Sequence, residues 1–144
     1  MTSDQNKAVI ARFPELLRRP EPATIRELFT EDFRLHDVKY PDWPRGHDGA
    51  IRMFVQMNSL APDITWEIQD IFGESDKLCV RWRCSGTRTD SFESRTGDGI
   101  RFEVLGHSIY RFVEGRIAED WGADVQLPPD HPWRTRSDRN QNAG

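Results

Sequence analysis

The spacing of apolar residues changes character once along the chain, near Ile64. Before that point apolar positions recur every three or four residues, as in helices with one face turned inward. The first such stretch is NKAVIARFPELLRR, in which Val9, Phe13, Leu16 and Leu17 form a stripe. Pro14 interrupts it; the ring removes a backbone donor and is expected to kink the helix. After the break at RRPEP, ATIRELF predicts a short second helix with Ile25, Leu28 and Phe29 inward. DFRLHDVKY reads as a strand, and YPDWPRGHDG as a loop rich in Pro and Gly. Asp48 is placed to cap a third helix, GAIRMFVQMNSL, whose stripe is Ile51, Phe54 and Val55, with Met53, Met57 and Leu60 alongside.

Beyond Ile64 the period is two. ITWEIQDIF alternates, GESD turns, and KLCVRWRCSGT alternates again with Leu78, Val80, Trp82 and Cys84 on one face. DSFESRTGDG is a long polar connection, and its residues 91–99 are a candidate lid. IRFEVLGHSIYRF is a long strand, VEG turns it, and RIAEDWGAD returns. Residues 1–126 therefore read as one domain and 127–144 as a polar tail with the composition of a frayed end. Helices followed by long hairpins define an α+β class. The expected architecture is a cone-shaped α+β barrel: a curved antiparallel sheet covered by three N-terminal helices, with a conical pocket between.

Composition narrows the function. Five Trp and eight Phe supply apolar walls for a pocket as readily as for a core. Charges of both signs are interspersed, the net charge is -4, and no basic cluster offers a nucleic acid a positive face. No apolar run approaches the roughly 20 residues of a bilayer span, and the polar start MTSDQNKAVI lacks a signal core. Cys79 and Cys84 point to opposite faces of one strand and cannot bridge within it. They are expected to be reduced thiols of a cytoplasmic protein. His47 and Asp48 in GHDG have no third ligand at metal spacing, and no phosphate loop, nucleophile elbow or CxxC pair occurs. No metal and no organic cofactor is expected.

The run from NKAVIARF through LFTEDFRLHD, GHDGAIRMFVQM and PDITWEIQDIFGESDKLCVRWRCSGT to GHSIYRFVEGRIAEDWG resembles the SnoaL-like polyketide cyclases, of the ketosteroid isomerase and nuclear transport factor two superfamily. Phe112, Gly115, Ile117 and Trp121 carry its FxxGxIxxxW pattern. The resemblance implies a hydrophobic small-molecule substrate, no metal or organic cofactor, and a homodimer paired through the outer sheet face. It does not fix the chemistry. The same scaffold hosts cyclases, isomerases, hydroxylases, epoxide hydrolases and plain binding domains.

Alternation sorts the candidates. Phe102, Val104, Gly106, Ser108, Tyr110 and Phe112 share one face of the long strand, so His107 points away unless Gly106 makes a bulge. In the returning strand Ala118, Asp120, Gly122 and Asp124 share the face that the family turns inward. The cyclases' base falls at Gly122, so its carboxylate is missing here, and Asp120 or Asp124 is left to supply one. Asp37 matches the proton-abstracting aspartate of ketosteroid isomerases, and Phe33 and Leu35 on its face should raise its pKa by excluding water. His36, typical of the family at this site, is structural by parity. Phe13 stands where the isomerases carry a phenol. Arg81 and Arg83 are expected to face out. The candidate machinery is thus Asp37 and Asp120 as proton carriers, with Ser108 and Tyr110 holding an oxygen. Phe33, Leu35, Phe54, Met57, Trp82, Phe102, Val104, Phe112 and Asp124 form the expected substrate wall, and His36 and His107 stand in reserve. The expected activity is an aldol-type or shape-templated ring closure on a carbonyl-rich, polyketide-like intermediate of natural-product biosynthesis. The alternatives are a non-enzymatic ligand-binding or dimerisation domain, and a hydroxylase or epoxide hydrolase.

Overall fold

The computed structural model describes residues 3–89 and 99–135. Its elements run α1 (Ser3–Ile10), α2 (Phe13–Arg18), α3 (Pro22–Leu28), β1 (Phe29–His36), α4 (Gly46–Leu60), β2 (Thr65–Glu74), β3 (Lys77–Thr87), β4 (Arg101–Val113) and β5 (Arg116–Gln126). The helices cover one face of a curved five-stranded sheet of order β1-β5-β4-β3-β2.

Pro14 breaks the first helix where a kink was expected. With no N–H to give and a ring that crowds the preceding turn, it is tolerated only at a helix start. The chain accordingly stops at Ile10 and resumes with Pro14 in the first turn of α2. The break turns Ile10, more than Val9, into the core, beside Phe13, Leu16 and Leu17. In α4 the inward stripe is Ala50, Phe54 and Leu60, whereas Val55 faces solvent. The helix begins earlier than its apolar pattern suggested. Gly46 opens it at φ 75°, His47 Nε2 lies 3.0 Å from the Phe29 carbonyl oxygen, and Asp48 lies in the first turn without capping it.

The β2, β3, β4 and β5 register is antiparallel, with Lys77 through Thr87 paired to Arg111 through Arg101. Glu114 and Gly115, both at positive φ, form the two-residue turn between β4 and β5. One pairing differs from the expected all-antiparallel sheet: β1 lies parallel to β5, with Leu35 opposite Asp120 and His36 opposite Trp121. Helix α4 and strands β2, β3 and β4 separate these strands in sequence, which permits a parallel pairing that no hairpin could make.

Past β5, residues 127–135 are held to the sheet. Leu127 N donates to the Glu103 carbonyl at 2.8 Å, and buried Arg134 donates to the carbonyls of Leu127 and Arg101. Arg83 pairs with the buried Glu103 carboxylate and also donates to the Trp133 carbonyl. The rest of the proposed tail lies outside the described residues, as does nearly all of the candidate lid.

Candidate functional site

Between the concave sheet face and α2 and α4 lies a cavity of about 480 Å³. Its walls are mostly apolar. Trp66 on β2 and Trp82 on β3 lie 5.9 Å apart, centroid to centroid, and Phe13 packs against Phe54 at 5.1 Å and Trp66 at 5.8 Å. Leu35, Met53, Met57, Phe102 and Val104 continue the lining.

The polar groups inside come from the middle of β4 and β5. Ser108 and Tyr110 are 5% and 3% exposed, and Asp120 is 4% exposed. The register sets Tyr110 opposite Asp120 and Ser108 opposite Gly122. The Trp82 indole N–H donates to Ser108 Oγ at 3.0 Å, and Ser108 lies close enough to the Tyr110 phenol to favour its ionised form slightly. Trp82 reaches across because Gly106 leaves room; a Cβ there would stand 2.1 Å from the indole ring. Tyr110 meets Phe13 edge-on at 5.7 Å. The phenol that isomerases carry on the first helix is absent, but a phenol on the facing strand enters the same cavity.

Burial and the nearby negative charge of Asp37 push the Asp120 carboxyl up to about 7. Its Oδ1 is buried without a hydrogen-bond partner. Burial, and then the charge on Asp120, raise the Tyr110 phenol well above its ordinary value, partly offset by the bond from Ser108. Tyr110 is therefore a neutral donor at physiological pH. Asp37 lies just past the end of β1, half-buried, its Oδ1 accepting the Lys39 N–H at 2.9 Å. The water-excluded setting expected for Asp37 belongs to Asp120.

Other expected wall residues divide. Leu35, Phe54, Met57, Trp82, Phe102, Val104 and Asp124 line the cavity. Phe33 and Phe112 do not. Phe33 stacks edge-on against Phe29 at 4.8 Å in the core, and Phe112 is buried there beyond the β4 irregularity between Arg111 and Phe112. Asp124 accepts from Lys39 Nζ at 2.8 and 3.0 Å at the mouth. Cys84 in the wall is pushed up to about 12 by burial and then by Asp124, so it is a thiol and no nucleophile. His36 and His107 are both on the outer face. His36 stacks on Trp121 at 5.0 Å with Nε2 2.7 Å from Glu119, and His107 is exposed between Arg81 and Ala123. Among the described residues no three His, Cys, Asp or Glu side chains converge to hold a metal. No helix among them is long and apolar enough to cross a membrane.

Sequence reasoning missed Trp66, Lys39, Trp43 and Arg88, which also line the cavity. Alternation in TWEI could have found Trp66. Lys39, Trp43 and Arg88 lie in irregular segments, where no period tells which way a side chain points; Arg88 lies over the Phe102 ring at 5.5 Å.

Helices over a curved sheet, closing an apolar hollow with hydroxyls and a buried acid inside, define an α+β pocket protein of the nuclear transport factor two-like fold. The chain belongs to the SnoaL-like polyketide cyclase family, whose model matches residues 7–127. Among solved structures it is similar to TsrD from Streptomyces laurentii (19% identity, TM-score 0.78, covering 86% of this chain and 90% of that one). It is also similar to IdmH from Streptomyces antibioticus, named as a candidate polyketide cyclase (28% identity, TM-score 0.68, 83% and 91%). A third, AclR from Streptomyces galilaeus, is named as a candidate hydroxylase (18% identity, TM-score 0.73, 99% and 96%). No curated protein matches by sequence.

Proposed function

We propose that this protein is a cofactor-independent enzyme that closes a ring in a hydrophobic, carbonyl-rich, polyketide-like intermediate by aldol chemistry. The observation that carries the reading is Asp120: a carboxyl buried in an apolar cavity with one oxygen unpartnered, which burial and the charge of Asp37 push up to about 7. A group poised near neutrality can both take and return a proton, which is what an aldol closure asks of one residue.

In the reaction proposed, ionised Asp120 takes a proton from the carbon between two carbonyls. The enolate oxygen that forms is met by the Tyr110 O–H, backed by the Ser108 hydroxyl, in a site where water is excluded. The enolate carbon attacks a second carbonyl carbon, forming the C–C bond. The resulting alkoxide takes the proton back from Asp120, so the enzyme ends as it began. Asp37, near the mouth, acts through its negative charge, which keeps the Asp120 carboxylate basic enough to take the carbon proton. The aromatic walls hold the chain folded; bringing reacting carbons together contributes roughly 7–11 kcal/mol in well-oriented cases.

The test is Asp120→Asn, assayed for loss of a linear poly-β-ketone and appearance of its cyclised product. Turnover is expected to fall at least tenfold while the domain stays folded. Full turnover in the variant would exclude acid/base closure by Asp120, and saturable binding by the wild type with no conversion would exclude an enzyme for that compound.

A further inference from the structure

Gly122 lies within β5, opposite Ser108 and two residues from Asp120. Its backbone does not demand glycine, since its φ is not among the positive ones. Nor does packing. A Cβ at this position would meet nothing nearer than Ser108 Oγ at 3.7 Å and Asp120 Oδ1 at 3.8 Å, both ordinary contacts. Gly106 makes the contrast: there a side chain would collide with Trp82. A glycine inside a strand weakens it and often marks where a ligand or another backbone comes close. Here no other backbone does.

A second, independent observation lies beside this notch. Asp120 is 4% exposed, and its Oδ1 has no hydrogen-bond partner. A buried acceptor left unpaired is costly and calls for a donor. Ser108 stands on the other side of the notch, its oxygen accepting from the Trp82 indole and its hydroxyl proton able to rotate toward a newcomer. Both Gly122 and Asp120 line the cavity, so the notch opens into it.

We propose that the notch at Gly122 is an oxygen subsite that seats an enol or phenol hydroxyl of the substrate, which donates to Asp120 Oδ1 and accepts from Ser108 Oγ. The subsite rests on the reading of the cavity given above and adds to it the substrate feature that is recognised: a conjugated ring or chain bearing a hydroxyl at its buried end. Compounds without that oxygen leave the Asp120 acceptor unpaired and bind correspondingly worse. Alanine at position 122 fills the notch without disturbing the fold, which makes Gly122 a specificity-determining position.

The probes are β-naphthol and naphthalene, which differ by one hydroxyl, titrated by fluorescence into the wild-type protein and into Gly122→Ala. Wild type is expected to prefer β-naphthol at least tenfold. Gly122→Ala should reduce that preference to within twofold, leave naphthalene affinity within twofold of wild type, and melt at or above the wild-type temperature. No preference in the wild type, a preference retained in Gly122→Ala, or an equal loss for both probes each overturns the subsite. Asp120→Asn turnover separates this from the acid/base reading. If that variant loses turnover while Gly122→Ala keeps the hydroxyl preference, the subsite fails alone. If it keeps turnover while Gly122→Ala loses the preference, the subsite stands without the acid/base role.

Discussion

Glu119 and Asp120 are consecutive carboxylates on one strand, and the sheet sends them to opposite sides. Glu119 faces out, where burial alone would raise its pKa. Hydrogen bonds and charge from Arg111 (2.7 Å) and His36 (2.7 Å) outweigh that and lower it. Asp120 faces the cavity, meets no cation, and is pushed up to about 7 by burial and by Asp37. The chemistry of these two carboxylates is set by what each meets at its level of the strand. Beside Glu119 an arginine and an imidazole neutralise the charge. Beside Asp120 lie hydroxyls and aromatic rings, which leave a charge poorly compensated and therefore reactive, whereas Asp124, on the same inner face nearer the mouth, is paired by Lys39.

The two carboxylates also act on stability in opposite directions. Asp120 binds its proton more tightly folded than unfolded, where its value is 3.8, so stability falls as pH rises from about 4 to about 7. Glu119 binds its proton less tightly folded. Its contribution is present above the unfolded value of 4.5 and disappears as pH falls through the lower folded value.

The largest expected effect therefore comes from the inner face. Asp120→Asn should lower turnover at least tenfold and remove any rate dependence centred near pH 7. The same variant should gain stability at pH 8, on the order of 4 kcal/mol at most, because an ionised buried group is gone; denaturant melts at pH 5 and pH 8 check this. A variant no more stable than wild type at pH 8 breaks the comparison. Asp37→Asn should also lower turnover at least tenfold and shift the pH midpoint of the rate downward, since a negative charge near Asp120 is removed. Gly106→Ala forces the Trp82 ring off Ser108 and should cost about 1–3 kcal/mol, typical of overpacking, read as a lower melting temperature. Ser108→Ala should slow turnover severalfold and lower the melting temperature, since the Trp82 indole N–H loses its acceptor. The smallest effect belongs to the outer face: Glu119→Gln breaks a partly exposed pair, should cost less than about 1 kcal/mol, and should leave turnover within twofold.

Much of the site was legible because β strands alternate strictly. Parity put Ser108 and Tyr110 on one face and His107 on the other, the resemblance implied that the Asp120 face turns inward, and the structure places them so. Alternation says which side a residue faces but not how far along the strand the cavity extends. That is why Phe33 and Phe112, correct in parity, belong to the core and not to the cavity.

What the sequence by itself determined is the period of each segment, and with it the helices, the hairpins, the α+β class and which residues share a face, all of which follow from local geometry. Tertiary structure alone decided the parallel seat of β1 beside β5, which brings Leu35 opposite Asp120 and Asp37 near enough to perturb it. It also decided the Lys39–Asp124 bridge and the docking of residues 127–135. These depend on pairings between distant segments and on how completely water is excluded from one carboxyl, and neither is written in the spacing of neighbouring residues.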